Sequence, residues 1–371
     1  MVMNRRGLLK AASWAGGAAG AAGLLSACSI RRVDGGSTAE LPRVRWRMAT
    51  SWPHALDTIY GGAVTISEQV AAMSGGRFTI EPYAAGELVP GLQVLDAVQN
   101  GAVECGHTAS YYYVGKNPAL AFGTAVPFGL TPQQQNTWLY EGGGNDALNR
   151  IYADFGVRSF PAGNTGPQMG GWFKRQLDGP DSLKGLKMRI PGLGGKVMAA
   201  LGVNVQVLPG GEIYLALERG AIDAAEFTGP YDDSKLGLPK AARFYYYPGW
   251  WEPGPTLTAL VNQRAWSKLP KAYQAMFQSA CESANLLMLS RYDRLNAEAL
   301  KTLRQGPTQV EFYGDAILQA AQQATNELMA DIARGDAGFN SLWNEWKQFR
   351  QLAHGWNQVT ELSYARFSDG N

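Results

Sequence analysis

Histidine and cysteine are scarce in this chain, with 3 of each among 371 residues, and only 17% of the residues are charged. His54, His107 and His354 are far apart, and none has neighbours that resemble part of a catalytic triad. We therefore expect each histidine to be a hydrogen-bonded loop or core residue. Any chemistry would depend mainly on carboxylates, arginine, amides and aromatic side chains.

The familiar enzyme motifs are also missing. The segment GLGGKV (192–197) lacks the glycine spacing and the following Ser or Thr of a Walker phosphate-binding loop. No GxSxG, HExxH or CxxC motif occurs in the sequence. The near balance of 33 basic and 31 acidic residues argues against a nucleic-acid partner, because a phosphate-binding surface needs a strong positive excess.

The first 27 residues are typical of an export signal. NRRGLLK resembles a twin-arginine motif, and an uncharged stretch rich in Ala, Gly and Leu follows it. LSAC (25–28) is similar to a lipobox, in which Cys28 would carry the lipid and residues 28–43 would form a tether. The alternative is an ordinary cleavable signal with an incidental cysteine. Both predict the periplasm, where Cys105 and Cys281 would form one disulfide or remain separate buried thiols.

Length and hydrophobic pattern predict two α/β lobes. A chain of 371 residues exceeds the usual size of one hydrophobic core. A strand at 44–52, a helical period at 59–76 and a strand at 77–83 make a βαβ unit. After Arg264 the pattern is mainly helical, interrupted by a predicted strand at 306–313.

The last helical segment carries an apolar stripe. Its members are Phe339, Leu342, Trp343, Trp346, Phe349 and Leu352. Such a stripe predicts packing, either on the same chain or on a second subunit of a homodimer.

Four segments combine polar and aromatic residues with Gly and Pro, a composition typical of rigid loops around a cleft. They are FPAGNTGPQMGGWF (160–173), GLKMRIPG (185–192), AAEFTGPYDD (224–233) and YYYPGWWEPGP (245–255). Arg189 lies in an apolar run, where burial is costly unless an anion meets the guanidinium. The planar fork of arginine matches a carboxylate. A structural ion pair or a solvent-facing edge strand is the alternative.

Two carboxylates in these segments are candidates for partial burial. Glu226 closes an apolar run, and Glu252 lies among Trp250, Trp251 and Pro253. A buried carboxylate requires a cation or a proton. If both carboxylates converge with the amide oxygen of Gln168, they form an all-oxygen site for calcium or sodium. Simple core packing is the alternative for the two tryptophans.

At these four segments the chain resembles the DctP-type solute-binding proteins of TRAP transporters. The resemblance implies a non-catalytic α/β protein with a two-lobed periplasmic solute-binding fold, bridging helices and an extended C-terminal helix. The implied lobes are residues 44–166 with 252–292 and residues 167–251 with 293–330, followed by a helical extension at 331–371. The implied function is to capture a small organic acid between the lobes for the membrane subunits of the transporter.

The resemblance also implies a set of binding residues. MRIPG is the most specific element of the family, and its arginine, here Arg189, meets the substrate carboxylate. EFTGPYDD and YYYPGWWEPG look like the branch that binds 2-oxo acids such as pyruvate, or lactate, with a metal ion. The implied ligands of a sodium or calcium ion are Gln168, Glu226, Glu252 and the backbone carbonyl of Phe227. Asn164 and a tyrosine of the run at 111–113, taken as Tyr112, are further implied contacts to the acid, as are Gln168 and Phe227.

Two other functions stay open from the sequence alone. A ligand-sensing lipoprotein that signals through a membrane partner would have the same pocket. A secreted metal-dependent lyase or hydrolase would use Glu226 or Glu252 as a base. The enzyme needs a second proton-transfer group in the cleft, and none is evident in the sequence.

Overall fold

Eleven strands among the described residues form two sheets. The computed structural model describes residues 41–368, so the predicted export signal, Cys28 and most of the tether lie outside the described residues. The strands are β1 (Val44–Thr50), β2 (Phe78–Tyr83), β3 (Cys105–Thr108), β4 (Val157–Asn164), β5 (Trp172–Phe173), β6 (Lys187–Arg189), β7 (Asn204–Gln206), β8 (Ala224–Ala225), β9 (Phe244–Tyr247), β10 (Thr256–Asn262) and β11 (Gln309–Phe312).

The helices lie between and after these strands. The α-helices are α1 (Ile59–Met73), α2 (Val94–Gln99), α3 (Pro132–Tyr140), α4 (Gly144–Ala153), α5 (Gly192–Ala200), α6 (Ile213–Glu218), α7 (Pro230–Lys235), α8 (Leu238–Ala241), α9 (Gln263–Lys268), α10 (Lys271–Arg304), α11 (Asp315–Gly335), α12 (Ala337–Val359) and α13 (Glu361–Ser368). Short 3-10 turns occupy Gly91–Gln93, Ser110–Tyr113, Pro118–Gly123, Pro180–Leu183 and Gly210–Glu212. Over residues 41–368, no helix has the length and apolar character needed to cross a membrane.

The first sheet has the order β2-β1-β3-β10-β4. The predicted βαβ unit is confirmed, because β1 and β2 pair in parallel and α1 connects them. The buried face of α1 includes Ile59, Ala63, Ile66 and Val70, which recur at helical spacing. The helix ends before a double glycine, Gly75 and Gly76, and both adopt positive φ angles, which glycine does at little cost.

The second sheet has the order β11-β9-β5-β8-β6-β7. Next to the edge strand β7, β6 pairs in parallel with both β7 and β8. The strand predicted at 306–313 is present as β11, which pairs in parallel with β9. The chain is therefore a mixed α/β protein, as predicted. All five strands of the first sheet fall within one predicted lobe and all six of the second sheet within the other, but the lobe limits themselves stay a prediction.

The predicted apolar stripe lies on helix α12, and its two ends differ in burial. Phe339 and Trp346 of α12 are buried against the ring of Phe122, so the first part of the stripe packs on its own chain. Leu352, further along α12, is exposed. Cys105 and Cys281 are separate buried thiols without a disulfide.

Candidate functional site

The candidate site begins where two parallel strands of the second sheet end. Arg189 is the last residue of β6 and lies opposite Ala225, the last residue of β8. Glu226 follows β8 directly, and its N–H donates to the carbonyl of Arg189 (3.2 Å). Because parallel strands end at one edge of a sheet, this register brings Arg189 and Glu226 together, in the place where α/β proteins bind ligands.

Arg189 and Glu226 form a fully buried ion pair, with side chains 1% and 0% exposed. The guanidinium Nη1 donates to the Glu226 carboxylate and, at 2.9 Å, to the Glu226 carbonyl. Nε donates to the carbonyl of Leu208 (3.1 Å), and the ring of Phe227 lies 5.6 Å from the guanidinium carbon. Nη2 has no hydrogen-bond partner among the described residues. The arginine therefore keeps one buried donor for another acceptor.

Gln168 and Glu252 lie on two loops that hydrogen-bond to each other. The Gln168 N–H donates to the Glu252 carbonyl (3.2 Å), and the Gly249 N–H donates to the Gln168 carbonyl (3.0 Å). A Cβ at Gly249 would lie 2.4 Å from the Gln168 carbonyl oxygen, so only glycine permits this approach. The Gln168 amide is oriented by donation from Nε2 to the Thr165 hydroxyl (3.1 Å), which leaves Oε1 without a partner.

Burial controls the charge of the two glutamates. Burial raises the pKa of Glu226 to about 7, and the neighbouring Arg189 opposes this shift. Burial also raises the pKa of Glu252 well above its usual range, and the charge of Glu226 adds to the shift. Desolvation would lower the pKa of Arg189, but Glu226 and the other nearby anionic groups raise it overall. Arg189 therefore stays charged and pairs with Glu226, whereas burial favours the protonated form of Glu252 unless a cation takes the place of the proton.

Two tyrosines of the predicted run lie against this group. Burial raises the pKa of Tyr112, which Arg189 partly offsets, and burial followed by the charge of Glu252 raises the pKa of Tyr111. The Tyr113 hydroxyl instead accepts from the Leu95 N–H of α2 and hydrogen-bonds to the Thr108 hydroxyl of β3. Tyr112 thus lies near Arg189, with Tyr111 beside it, and its contact with the acid stays a prediction. The sequence contained no signal to separate the three residues, because their orientations depend on a 3-10 turn.

Asn164 is near the site in sequence but is already hydrogen-bonded. Its Nδ2 donates to the Gly254 carbonyl (3.3 Å) and the Thr256 hydroxyl (3.2 Å). Its Oδ1 accepts from the Gly166 N–H (2.8 Å). The residue therefore positions the loop that leads to Gln168. Its contact with a ligand stays a prediction and would have to use the remaining lone pair of Oδ1.

Asp232 and Asp233 are buried carboxyls that sequence reasoning missed. Asp233 accepts from Trp172 Nε1 (3.0 Å) and from the Tyr245 hydroxyl (2.7 Å), and burial raises its pKa to about 6. Asp232 accepts from the Tyr292 hydroxyl (2.5 Å), and burial raises its pKa to about 7. Both lie in the segment that contains Glu226, but nothing in the sequence pattern separates them from solvent-facing aspartates at a helix start.

The oxygen atoms at the site fit a hard cation. At the site, three buried side-chain acceptors have no hydrogen-bond partner among residues 41–368: Gln168 Oε1, Glu226 Oε2 and Glu252 Oε2. No donor of the described residues reaches the carbonyl of Phe227 either. Within this part of the chain no cluster of three or more His, Cys, Asp or Glu could hold a metal ion. A cation here would therefore use two carboxylates, one amide and one carbonyl, which are oxygen ligands that calcium and sodium accept.

The matching family model and one matching relative both represent solute-binding proteins. Residues 48–336 match the family described as bacterial extracellular solute-binding protein, family 7. The monocarboxylate 2-oxoacid-binding periplasmic protein of Nostoc sp. (strain PCC 7120) is 62% identical over 333 residues, which are 90% of this chain and 91% of the relative.

Two solved structures have the same fold. The first is a TRAP transporter solute-binding protein from Bordetella bronchiseptica, a mixed occupancy dimer with copurified calcium and picolinate. It is 43% identical with a TM-score of 0.88, and the match covers 89% of this chain and 98% of that one. The second is a TRAP periplasmic solute-binding protein from Pseudoalteromonas atlantica with bound sodium and pyruvate. It is 36% identical with a TM-score of 0.85, and the match covers 87% and 99%.

Proposed function

We propose that this chain, which belongs to family 7 of the bacterial extracellular solute-binding proteins, captures a small 2-oxo or 2-hydroxy monocarboxylate together with a cation. The observation that carries the proposal is a buried group of polar side chains that has both unpaired acceptors and an unpaired donor. Three acceptor oxygens lack a donor, and one guanidinium nitrogen lacks an acceptor. Buried polar atoms are nearly always paired, so an anion and a cation together would satisfy what the protein leaves open.

Arg189 is the proposed carboxylate anchor. Nη1 and Nε are held by protein oxygens, so the guanidinium is fixed before the acid arrives and only Nη2 remains to be paired. A pre-oriented charged donor loses little entropy on binding. Tyr112, which lies beside Arg189, is proposed as a second contact to the acid.

Gln168, Glu226, Glu252 and the Phe227 carbonyl are the proposed cation ligands. With Arg189 and both glutamates ionised, the site has one net negative charge, and a monocarboxylate adds a second. Calcium would neutralise both charges and sodium would neutralise one, so either ion suits a monoanion. The ion would also bind the 2-oxo or 2-hydroxyl oxygen of the acid, which selects such acids over simple fatty acids.

The proposed role is transport and not catalysis. The family supplies receptors to transporters, so the bound acid would be passed to the membrane subunits of a TRAP system. The proposed location is the periplasm, with Cys28 as the lipid-bearing residue. Closure of two lobes around the acid would give the membrane subunits a shape that distinguishes loaded from empty protein.

Thermal unfolding with pyruvate, lactate and succinate, with and without calcium or sodium, tests the proposal. At 100 times its dissociation constant a bound acid should stabilise the protein by about 2.7 kcal/mol. We expect this shift for pyruvate or lactate with a cation, and none for succinate, whose second carboxylate meets no additional basic group. Glu252→Gln should weaken the response to the cation, whereas Glu298→Gln, on an exposed helix face, should leave it unchanged. Equal stabilisation by succinate would refute the monocarboxylate site.

A homodimer through the C-terminal helices is part of the proposal. Leu352, Trp356, Val359 and Tyr364 are 76%, 69%, 72% and 74% exposed, although apolar or aromatic side chains of this size favour burial. We expect sedimentation of the chain to show a dimer that Trp356→Glu dissociates. A monomer at every concentration would contradict this assembly.

A further inference from the structure

Phe128 is the one residue other than glycine with a positive φ angle (54°) in the described part of the chain. This left-handed conformation is unfavourable for a bulky side chain and persists only where neighbouring groups enforce it. Phe128 makes two kinds of contact that could do so. Its N–H donates to the carbonyl of Trp250 (2.7 Å), and its ring stacks on the Trp250 ring at 5.2 Å.

A further contact to Phe128 comes from the C-terminal helix α12. Arg350 Nε and Nη2 both donate to the Phe128 carbonyl, at 3.1 and 2.8 Å. The neighbouring carbonyl of Gly129 lies 3.3 Å from His354 Nε2, one helical turn further along. Two donors from one rigid guanidinium fix the direction of a carbonyl better than a single donor can. Phe128 is therefore held by Trp250 through its N–H and ring and by helix α12 through its carbonyl.

Trp250 connects this contact to the proposed cation ligands. It lies two residues before Glu252, whose N–H donates to the Gly249 carbonyl (3.0 Å). Gln168 bonds through its backbone to both Gly249 and Glu252. A shift of the Trp250 carbonyl would thus move both ligand-bearing loops. A cavity of about 520 Å³ lies between these loops and α12, lined in part by Phe128, Gln168 and Arg350, so the loops have room to move if the contact is lost.

We propose that Arg350 is a positioning residue of the cation site, and that through Phe128 and Trp250 it makes cation affinity depend on the docked C-terminal helix. This inference rests on the proposed function, because it assumes that Gln168 and Glu252 bind a cation. Arg350 touches neither the cation nor the acid. Its loss should therefore weaken cation binding while the acid, once the cation is saturating, still binds through Arg189.

Calorimetry of pyruvate binding at increasing calcium concentrations tests the inference. We expect Arg350→Ala to raise the calcium concentration for half-maximal pyruvate binding about tenfold or more, with less than a threefold change in pyruvate affinity at saturating calcium. Arg350→Lys keeps the charge but can donate only one hydrogen bond to the Phe128 carbonyl, so it should shift the calcium midpoint by an intermediate amount. It replaces Arg350→Ala in the test if the alanine variant does not fold. Lys347→Ala removes a neighbouring cation of α12 that contacts Trp343 instead, and it should change neither value.

The outcomes separate the two proposals. If the parent chain binds pyruvate with calcium and Arg350→Ala has an unchanged calcium midpoint, the positioning role is wrong and the proposed function stands. Equal weakening of both affinities would indicate a general structural loss and would also overturn the positioning role. A parent chain without calcium-linked pyruvate binding would overturn the proposed function, and this inference with it.

Discussion

His107 in the first sheet and Arg189 in the second are both buried and polar. Each side-chain nitrogen of His107 has a hydrogen-bond partner, whereas one side-chain nitrogen of Arg189 has none among the described residues. His107 Nδ1 accepts from Trp52 Nε1 (2.8 Å), and its Nε2 lies 3.1 Å from the Ala162 carbonyl. The adjacent Thr108 hydroxyl bonds to Ser51 (2.6 Å) and to Tyr113 (3.0 Å). At Arg189 one donor and several nearby acceptors have no partner among the described residues. Both regions are buried, so the difference lies in how completely their polar atoms are paired.

This difference separates polar groups that support the fold from polar groups prepared for a ligand. A fully paired buried network contributes rigidity and needs nothing from outside. An incompletely paired one is costly until a ligand completes it, because each buried unpaired group loses its hydration without compensation. The second sheet can tolerate such a group because the backbone around it is held by register and by loop-to-loop hydrogen bonds.

Among the substitutions that test this comparison, Arg189→Met should have the largest effect on stability and on ligand binding. It removes the guanidinium that pairs with Glu226, and breaking a buried ion pair costs about 3–5 kcal/mol. We expect urea unfolding of the ligand-free protein at pH 8 to show this loss. Calorimetry should show no binding of pyruvate with calcium.

An exposed ion pair provides the control. Arg294 pairs with Glu298 at 2.9 Å, but both side chains are 63% exposed. Because water screens such pairs, Arg294→Met should change the free energy of unfolding by less than about 1 kcal/mol. If Arg189→Met is no more costly than Arg294→Met, the buried pair does not hold the site together, and the contrast between the two sheets is wrong.

The sequence predicted the fold class and several elements correctly. Helix α1 and strands β2 and β11 lie where periodicity placed them, because each has its own hydrophobic pattern and a glycine boundary or turn nearby. His54 is a hydrogen-bonded loop residue and His107 a hydrogen-bonded core residue, as expected. His354 instead lies on helix α12, where it is half-buried, so the expectation is wrong for this histidine. The resemblance to TRAP solute-binding proteins is confirmed by the family match and by the solved relatives.

The sequence was less informative about how the site residues pair. It left open whether Arg189 meets a bound anion or a structural ion pair, and the structure pairs it with Glu226 while leaving Nη2 free. This outcome depends on the register of β6 and β8, whose paired residues Arg189 and Ala225 are 36 positions apart and carry no local signal of their pairing. The contact of Arg350 with Phe128 spans 222 positions and was equally invisible. The ligand roles of Gln168, Glu252 and Phe227 stay predictions.

The pH dependence of unfolding tests the same comparison through a smaller effect. His107 in the first sheet and Glu226 in the second should change the free energy of unfolding with pH in opposite directions. Burial lowers the pKa of His107 to about 4 from a usual value near 6.5, so the unfolded chain binds a proton in this window and the folded chain does not. This contribution to the free energy of unfolding therefore rises with pH between about 4 and 6.5. Burial raises the pKa of Glu226 to about 7, so the folded chain holds the additional proton and its contribution falls with pH between about 4.5 and 7.

Each contribution is on the order of 3 kcal/mol, since one pKa unit corresponds to about 1.4 kcal/mol. Asp232 and Asp233 also have raised pKa values and act with Glu226, so we expect the ligand-free parent to lose stability from pH 4.5 to 7. His107→Gln removes the opposing contribution and should make this loss steeper, whereas Glu226→Gln should make it shallower. Urea unfolding across this pH range measures both slopes. If both variants change the slope in the same direction, folding does not shift the pKa values of His107 and Glu226 in opposite directions. The contrast drawn between the two sheets would then be wrong.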